Sequence, residues 1–197
     1  RKQIGRKETA VEVLRKLETA LNIGFIVSVD LIYGLPSQRL DCLINTLEQL
    51  ICSGIHGFSL YHLNITGKNK KFFSMINGFE RDMVYDYLLF LIADKYLIHN
   101  GYNKNHFVHY AREEDKNLYY NHVCRGEDLL ALGPTADGFF HDYYYVNEQI
   151  HKYMAGDKTN YKPLSGGGHL SERELKLRPL KARLMGANIP ESSVTDD

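Results

Sequence analysis

The chain has 197 residues, and 24 Lys and Arg balance 24 Asp and Glu, giving a formal net charge of zero. Binding nucleic acid through its phosphates calls for a basic excess, so this balance argues against that class of partner. At 44% hydrophobic and 24% charged the chain can build a core, while its most apolar run, Tyr87 to Ala93, falls far short of the ~20 residues of a membrane helix.

In chain order, residues 9–22 place Val11, Leu14, Leu17 and Leu21 at helical spacing, with Asn22-Ile23-Gly24 as the stop. Residues 25–32 (FIVSVDLI) read as a strand buried on both faces of a parallel sheet. Gly34-Leu35-Pro36-Ser37 breaks it, and Ser37 is the expected N-cap of a helix running to about Cys52. Residues 56–63 (HGFSLYHL) read as the next strand, which makes a βαβ unit with parallel pairing. A polar break at 66–71 precedes a helix over 79–97 that stops before Gly101. Strand or extended pieces follow at 106–110, 117–120 and 128–132, then a short helix at 146–154. Gly166-Gly167-Gly168 reads as a flexible joint before a last helix, 171–185, opened by a capping box at Ser171 and Glu174. The tail from Glu191 is polar and is expected to fray. The opening Arg1-Lys2-Gln3 carries no initiator Met and no apolar leader, as a boundary inside a longer protein would.

Asp30 is the first candidate for chemistry, because a lone carboxylate in a buried strand needs a partner. It is either a structural ion-pair member or a ligand contact near a strand's carboxyl end, where sites of α/β folds collect. The small-residue turn Gly133 to Gly138 is a second, weaker candidate. His106 and His109 would point to opposite faces of a strand, which argues against a shared metal ion. Cys42 and Cys52 face different ways on one helix and read as small buried hydrophobes. Three scattered cysteines, Cys124 being the third, are not a disulfide framework and favour a reducing cytoplasm. Tyr143-Tyr144-Tyr145 reads as packing on a half-buried strand.

The block VDLIYGLPSQ (29–38), followed by FSLYHL (58–63), HYAREED (109–115) and KNLYYNHVCRGEDLLALGPTADG (116–138), resembles the oxygen-independent coproporphyrinogen III oxidase family of radical S-adenosylmethionine (SAM) enzymes. The resemblance implies an α/β chain holding the last two βα units of a partial (β/α)6 barrel over residues 1–66. An accessory α+β segment would cover 67–156, and 157–197 would form a linker and the start of a helical domain. It implies that Arg6 pairs with the carboxylate of SAM, that Asp30 is a polar and Ile32 an apolar SAM contact, and that Asp137 lines a second SAM site, with Tyr61 near another such position. Porphyrin or haem would be the partner, and exposed strand edges would invite dimerisation.

The family's three cluster-binding cysteines, in a CxxxCxxC-type motif, have no counterpart here, although thiolates are what a [4Fe-4S] cluster needs. The resemblance therefore implies a cluster-bearing parent enzyme and a chain that is inactive alone. Val108 stands where the oxidase tends to carry an acidic residue. The leading expectation is oxidative decarboxylation of porphyrinogen propionates by the parent. A haem-utilisation methyltransferase and a non-catalytic haem chaperone are the alternatives.

Overall fold

The structure, a computed structural model, describes residues 5, 7–76, 79–155 and 164–185. They divide into two compact units, one up to Lys116 and one from Asn117.

In the first unit, α1 (Ala10–Asn22) opens with a capping box: Glu12 N–H donates to Thr9 Oγ1 (3.2 Å) and Thr9 N–H donates to Glu12 Oε2 (2.7 Å). Strand β1 (Ser28–Tyr33), helix α2 (Leu40–Cys52) and strand β2 (Gly57–His62) follow. The two strands pair in parallel from Ser28 opposite Gly57 to Tyr33 opposite His62, as the βαβ pattern requires. A short helix α3 (Lys70–Ser74) begins at the end of the expected polar break, anchored by buried Phe73. Helix α4 (Met83–His99) starts at Asp82, whose Oδ1 accepts from Val84 and Tyr85 N–H at 3.0 Å each. Strands β3 (Asn103–Lys104) and β4 (His109–Ala111) extend the sheet by antiparallel pairing, giving the order β1-β2-β4-β3.

The core joins Leu43, Leu47 and Leu50 of α2 to Phe58 and Leu60 of β2, to Leu89, Ala93 and Leu97 of α4, and to Tyr102 and Tyr110. Val29, Leu31 and Tyr33 of β1 pack against this cluster, as do Leu14, Leu17 and Leu21 of α1. Strand β1 is therefore covered on one face only, and Ser28, Asp30 and Ile32 stand exposed on the other. That corrects the expectation of a strand buried on both faces. The apolar lead-in is also open, with Phe25 60% and Ile26 54% exposed.

Two further expectations fail here for local reasons. Ser37 sits at φ +56 in the turn and Arg39 is the N-cap of α2, so the helix starts later than the Ser signal indicates. Cys42 and Cys52 are exposed, because α2 turns its leucine stripe to the core and leaves both thiols outside.

The second unit contains α5 (Leu118–Cys124), β5 (Asp137–Phe140), β6 (Tyr143–Asn147), α6 (Ile150–Ala155), β7 (Leu164–His169) and α7 (Glu172–Met185). Residues expected to be extended at 117–120 instead open a helix, after Asn117 at φ +40. Of the extended 128–132 piece, the Leu129–Phe139 bridge is what forms. The glycine run is no joint: it is β7, paired antiparallel with β6 in the sheet β5-β6-β7. Tyrosine rings fill the missing side-chain space, Tyr145 over Gly138 and Tyr143 over Gly167. The capping box of α7 forms as read, with Ser171 N–H donating to Glu174 Oε2 at 2.8 Å.

Candidate functional site

In a parallel pair, residues opposite one another project from the same face. The register sets Asp30 beside Ser59 and Ile32 beside Tyr61, so the two expected SAM contacts and Tyr61 share one face of the pair, which is open along β1 and covered at Ser59 of β2. Asp30 is exposed and Ile32 is 41% exposed. The carboxylate thus carries no burial penalty, and of the two readings of Asp30 the buried-strand ion pair loses its motive.

The same face carries a hydrogen-bonded chain that the sequence reading missed. Antiparallel pairing puts His109 of β4 beside Ser59, and Ser59 Oγ lies 3.0 Å from His109 Nδ1. His109 Nε2 lies 3.0 Å from Asp115 Oδ2, and Ser28 Oγ closes the chain on that same oxygen. A carboxylate only accepts, so in the neutral imidazole Nε2 carries the proton and Nδ1 accepts from Ser59. The chain passes over Gly57, where any Cβ would overlap the Asp115 carboxylate and the Ser28 hydroxyl. Its members are those of a hydrolytic triad, yet Ser59 is 4% and His109 2% exposed. A substrate carbonyl has no route to that hydroxyl, and the arrangement orders rather than attacks. The signal available in the sequence was Gly57, a residue without a side chain inside an apolar strand.

A second cluster closes the carboxyl ends of β1 and β2. His62 stacks on Tyr33 with ring centroids 5.1 Å apart, and its Nε2 lies 2.8 Å from Asp86 Oδ2. Arg81 Nε is 3.6 Å from the same oxygen, and the Arg81 guanidinium donates to the Leu63 carbonyl. Asp86 is buried in the first turn of α4, beneath Gly34 of the Tyr-Gly-Leu-Pro loop. Burial is the main cause that pushes the Tyr33 hydroxyl above its ordinary value, and the nearby Asp86 charge adds to it.

Asp137 begins β5 in the second unit and is exposed. It lines a cavity of about 280 Å³ together with Phe139, Tyr144, Arg178 and Lys181. The Arg178 guanidinium lies over the Phe139 ring and donates to the Glu127 carbonyl at 2.7 Å. Arg6 lies outside the described residues.

Among the described residues no group of three His, Cys, Asp or Glu is placed to hold a metal ion. The chain's three cysteines stand apart, two on α2 and one on α5. These thiols do not fit a [4Fe-4S] cluster. The open face does fit part of SAM, since it pairs an accessible carboxylate with an apolar side chain and ends at the Gly34 turn. No described helix is long and apolar enough to cross a membrane.

No protein-family model matches the chain. Among curated proteins it is 24% identical over 170 residues to the heme chaperone HemW of Lactococcus lactis subsp. lactis (strain IL1403), covering 80% of this chain and 43% of that protein. Among solved structures it superposes on coproporphyrinogen III oxidase (HemN) from Escherichia coli, described as a radical SAM enzyme, with a TM-score of 0.76 and 20% identity. That match covers 94% of this chain and 46% of the other. The chain thus spans less than half the length of either relative. In sequence the chain is thus similar to a heme chaperone, and in fold to an oxygen-independent coproporphyrinogen III oxidase of the radical SAM type, as the VDLIYGLPSQ resemblance implies.

Proposed function

We propose that this chain is the C-terminal portion of a haem- or porphyrin-handling protein that binds SAM, and that carrying haem takes precedence over chemistry on it. The observation behind the SAM assignment is that Asp30 and Ile32 share one open face near the carboxyl end of a parallel pair. Asp30 would accept from an amine or hydroxyl of the ligand, and Ile32 would cover part of its apolar surface. Arg6 would meet the ligand carboxylate with its planar fork. Asp137 would line a second SAM position. When bound, SAM supplies an adenosyl group and a sulfonium methyl. Because the thiols of this chain do not fit a cluster, no reductive step is assigned to its residues.

One thing favours the haem-carrying role: the sequence relative found is a heme chaperone. Oxidative decarboxylation of coproporphyrinogen III is the second reading, supported by the likeness of fold to the oxidase and by the VDLIYGLPSQ block.

The test uses the longer protein containing this chain, made without oxygen, beside the 197-residue chain. Haem binding is followed by the Soret band, porphyrinogen products by mass spectrometry, and SAM by equilibrium dialysis. Haem binding without product supports the carrier, and decarboxylated product supports the oxidase. Neither binding nor product would overturn both. Asp30→Asn is expected to weaken SAM binding about tenfold, the worth of one charge-assisted hydrogen bond.

A further inference from the structure

We propose that Asp115 and His109 are positioning residues for the open face of β1, acting through Ser28 on the strand that carries Asp30 and Ile32. The inference rests on the reading of that face as the SAM face. Strand β1 is the outermost strand of its sheet, paired to β2 on one side and packed by helices on one face. Its other face is open, so little burial restrains the side chains there. Ser28 is held from that side by a carboxylate that belongs to the loop after β4.

That carboxylate is itself fixed at several points. Arg112 N–H donates to the His56 carbonyl at 2.8 Å, and Asp115 N–H donates to the Arg112 carbonyl at 3.1 Å, which ties the loop to the start of β2. His109 Nε2 grips Asp115 Oδ2, while Ser59 Oγ and burial leave the imidazole one rotamer and one tautomer. The loop therefore reaches across β2 to β1, and Gly57 is the gap through which it does so. Ser28 and Asp30 are successive residues of one face, so order at Ser28 is order at Asp30. The crossing also brings a second negative charge to the face, which favours a ligand with a cationic centre, as a sulfonium has.

The test compares Ser28→Ala, Ser28→Thr and Asp115→Asn with the unaltered protein. Ser28 is exposed on a strand, so removing or keeping its hydroxyl leaves the fold intact. In the 197-residue chain, amide hydrogen exchange of residues 29–32 is expected to rise about tenfold in Ser28→Ala and Asp115→Asn, with α4 unchanged, and to return in Ser28→Thr. In the longer protein the SAM dissociation constant is expected to rise about tenfold in the first two variants and to recover in the third. Unchanged exchange in β1 would overturn the proposal whatever SAM does. If exchange rises and SAM affinity falls with Asp30→Asn alone, the face reading stands and the positioning role is refuted. If the unaltered longer protein does not bind SAM, the face reading fails and the positioning of a SAM contact fails with it.

Discussion

Asp86 stands over Gly34 so closely that a Cβ at position 34 would lie 2.9 Å from its Oδ1. Gly34 is at φ +77, where a side chain is strained in any case. Two independent costs therefore meet at one residue. Gly34→Ala is expected to destabilise the first unit by about 2 kcal/mol, roughly half from the backbone and half from the contact. In an Asp86→Ala background the contact part vanishes and the backbone part of about 1 kcal/mol remains. Urea unfolding of the four proteins measures the coupling, and additive effects would show that Asp86 does not crowd the turn.

The glycine strand offers a sharper contrast, between neighbours. A Cβ on Gly167 would stand 2.9 Å from the Tyr143 hydroxyl and would overlap the Tyr144 carbonyl, while one on Gly168 meets nothing within 4 Å. Gly167→Ala is expected to cost about 2 kcal/mol in the second unit. Gly168→Ala is expected to be neutral or to stabilise by about 0.5 kcal/mol, because it lowers the freedom of the unfolded chain. A flexible joint would tolerate both alike, so thermal unfolding of the pair distinguishes strand from linker.

The pattern of success and failure along the sequence follows burial. Residues 29–33 alternate between a covered and an open face, yet Ile32 is apolar on the open one, so the composition of the strand hid its exposure. Local signals that satisfy themselves were legible: the Ser171–Glu174 capping box is present as read, as is the parallel pairing of β1 with β2. Signals that depend on distant partners were not. Gly166 to Gly168 look like a linker until Tyr143 and Tyr145 are laid beside them. His109 and Asp115 are six residues apart in sequence, and their meaning comes from Ser28 and Ser59, which only the sheet register brings within reach.

Leu47 is fully buried between α2 and the sheet, and Phe58, Leu60 and Leu97 belong to the same core. Leu47→Ala is expected to cost about 3 kcal/mol, the transfer term plus the cavity left behind. Asp82→Ala, which uncaps α4 at two N–H groups, is expected to cost about 1 kcal/mol. Equal losses in urea midpoint would contradict the division of labour between core and cap.

His106 gives the first unit a pH dependence with a definite sign. Burial, with the nearby His109 as a smaller cause, holds its pKa below the ordinary 6.5. The unfolded chain therefore binds the proton more tightly than the folded one, and stability rises with pH across the interval between the two values. The contribution is complete above about pH 6.5 and is lost as pH falls through the folded-state value. The unaltered chain and a His106→Gln variant differ at that one side chain, so the difference between their pH profiles reads the loss of His106. From about pH 7.5 to about pH 5.5, the urea midpoint of His106→Gln is expected to fall less than that of the unaltered chain. Parallel falls would show that His106 charges freely in the folded state and that its burial costs nothing.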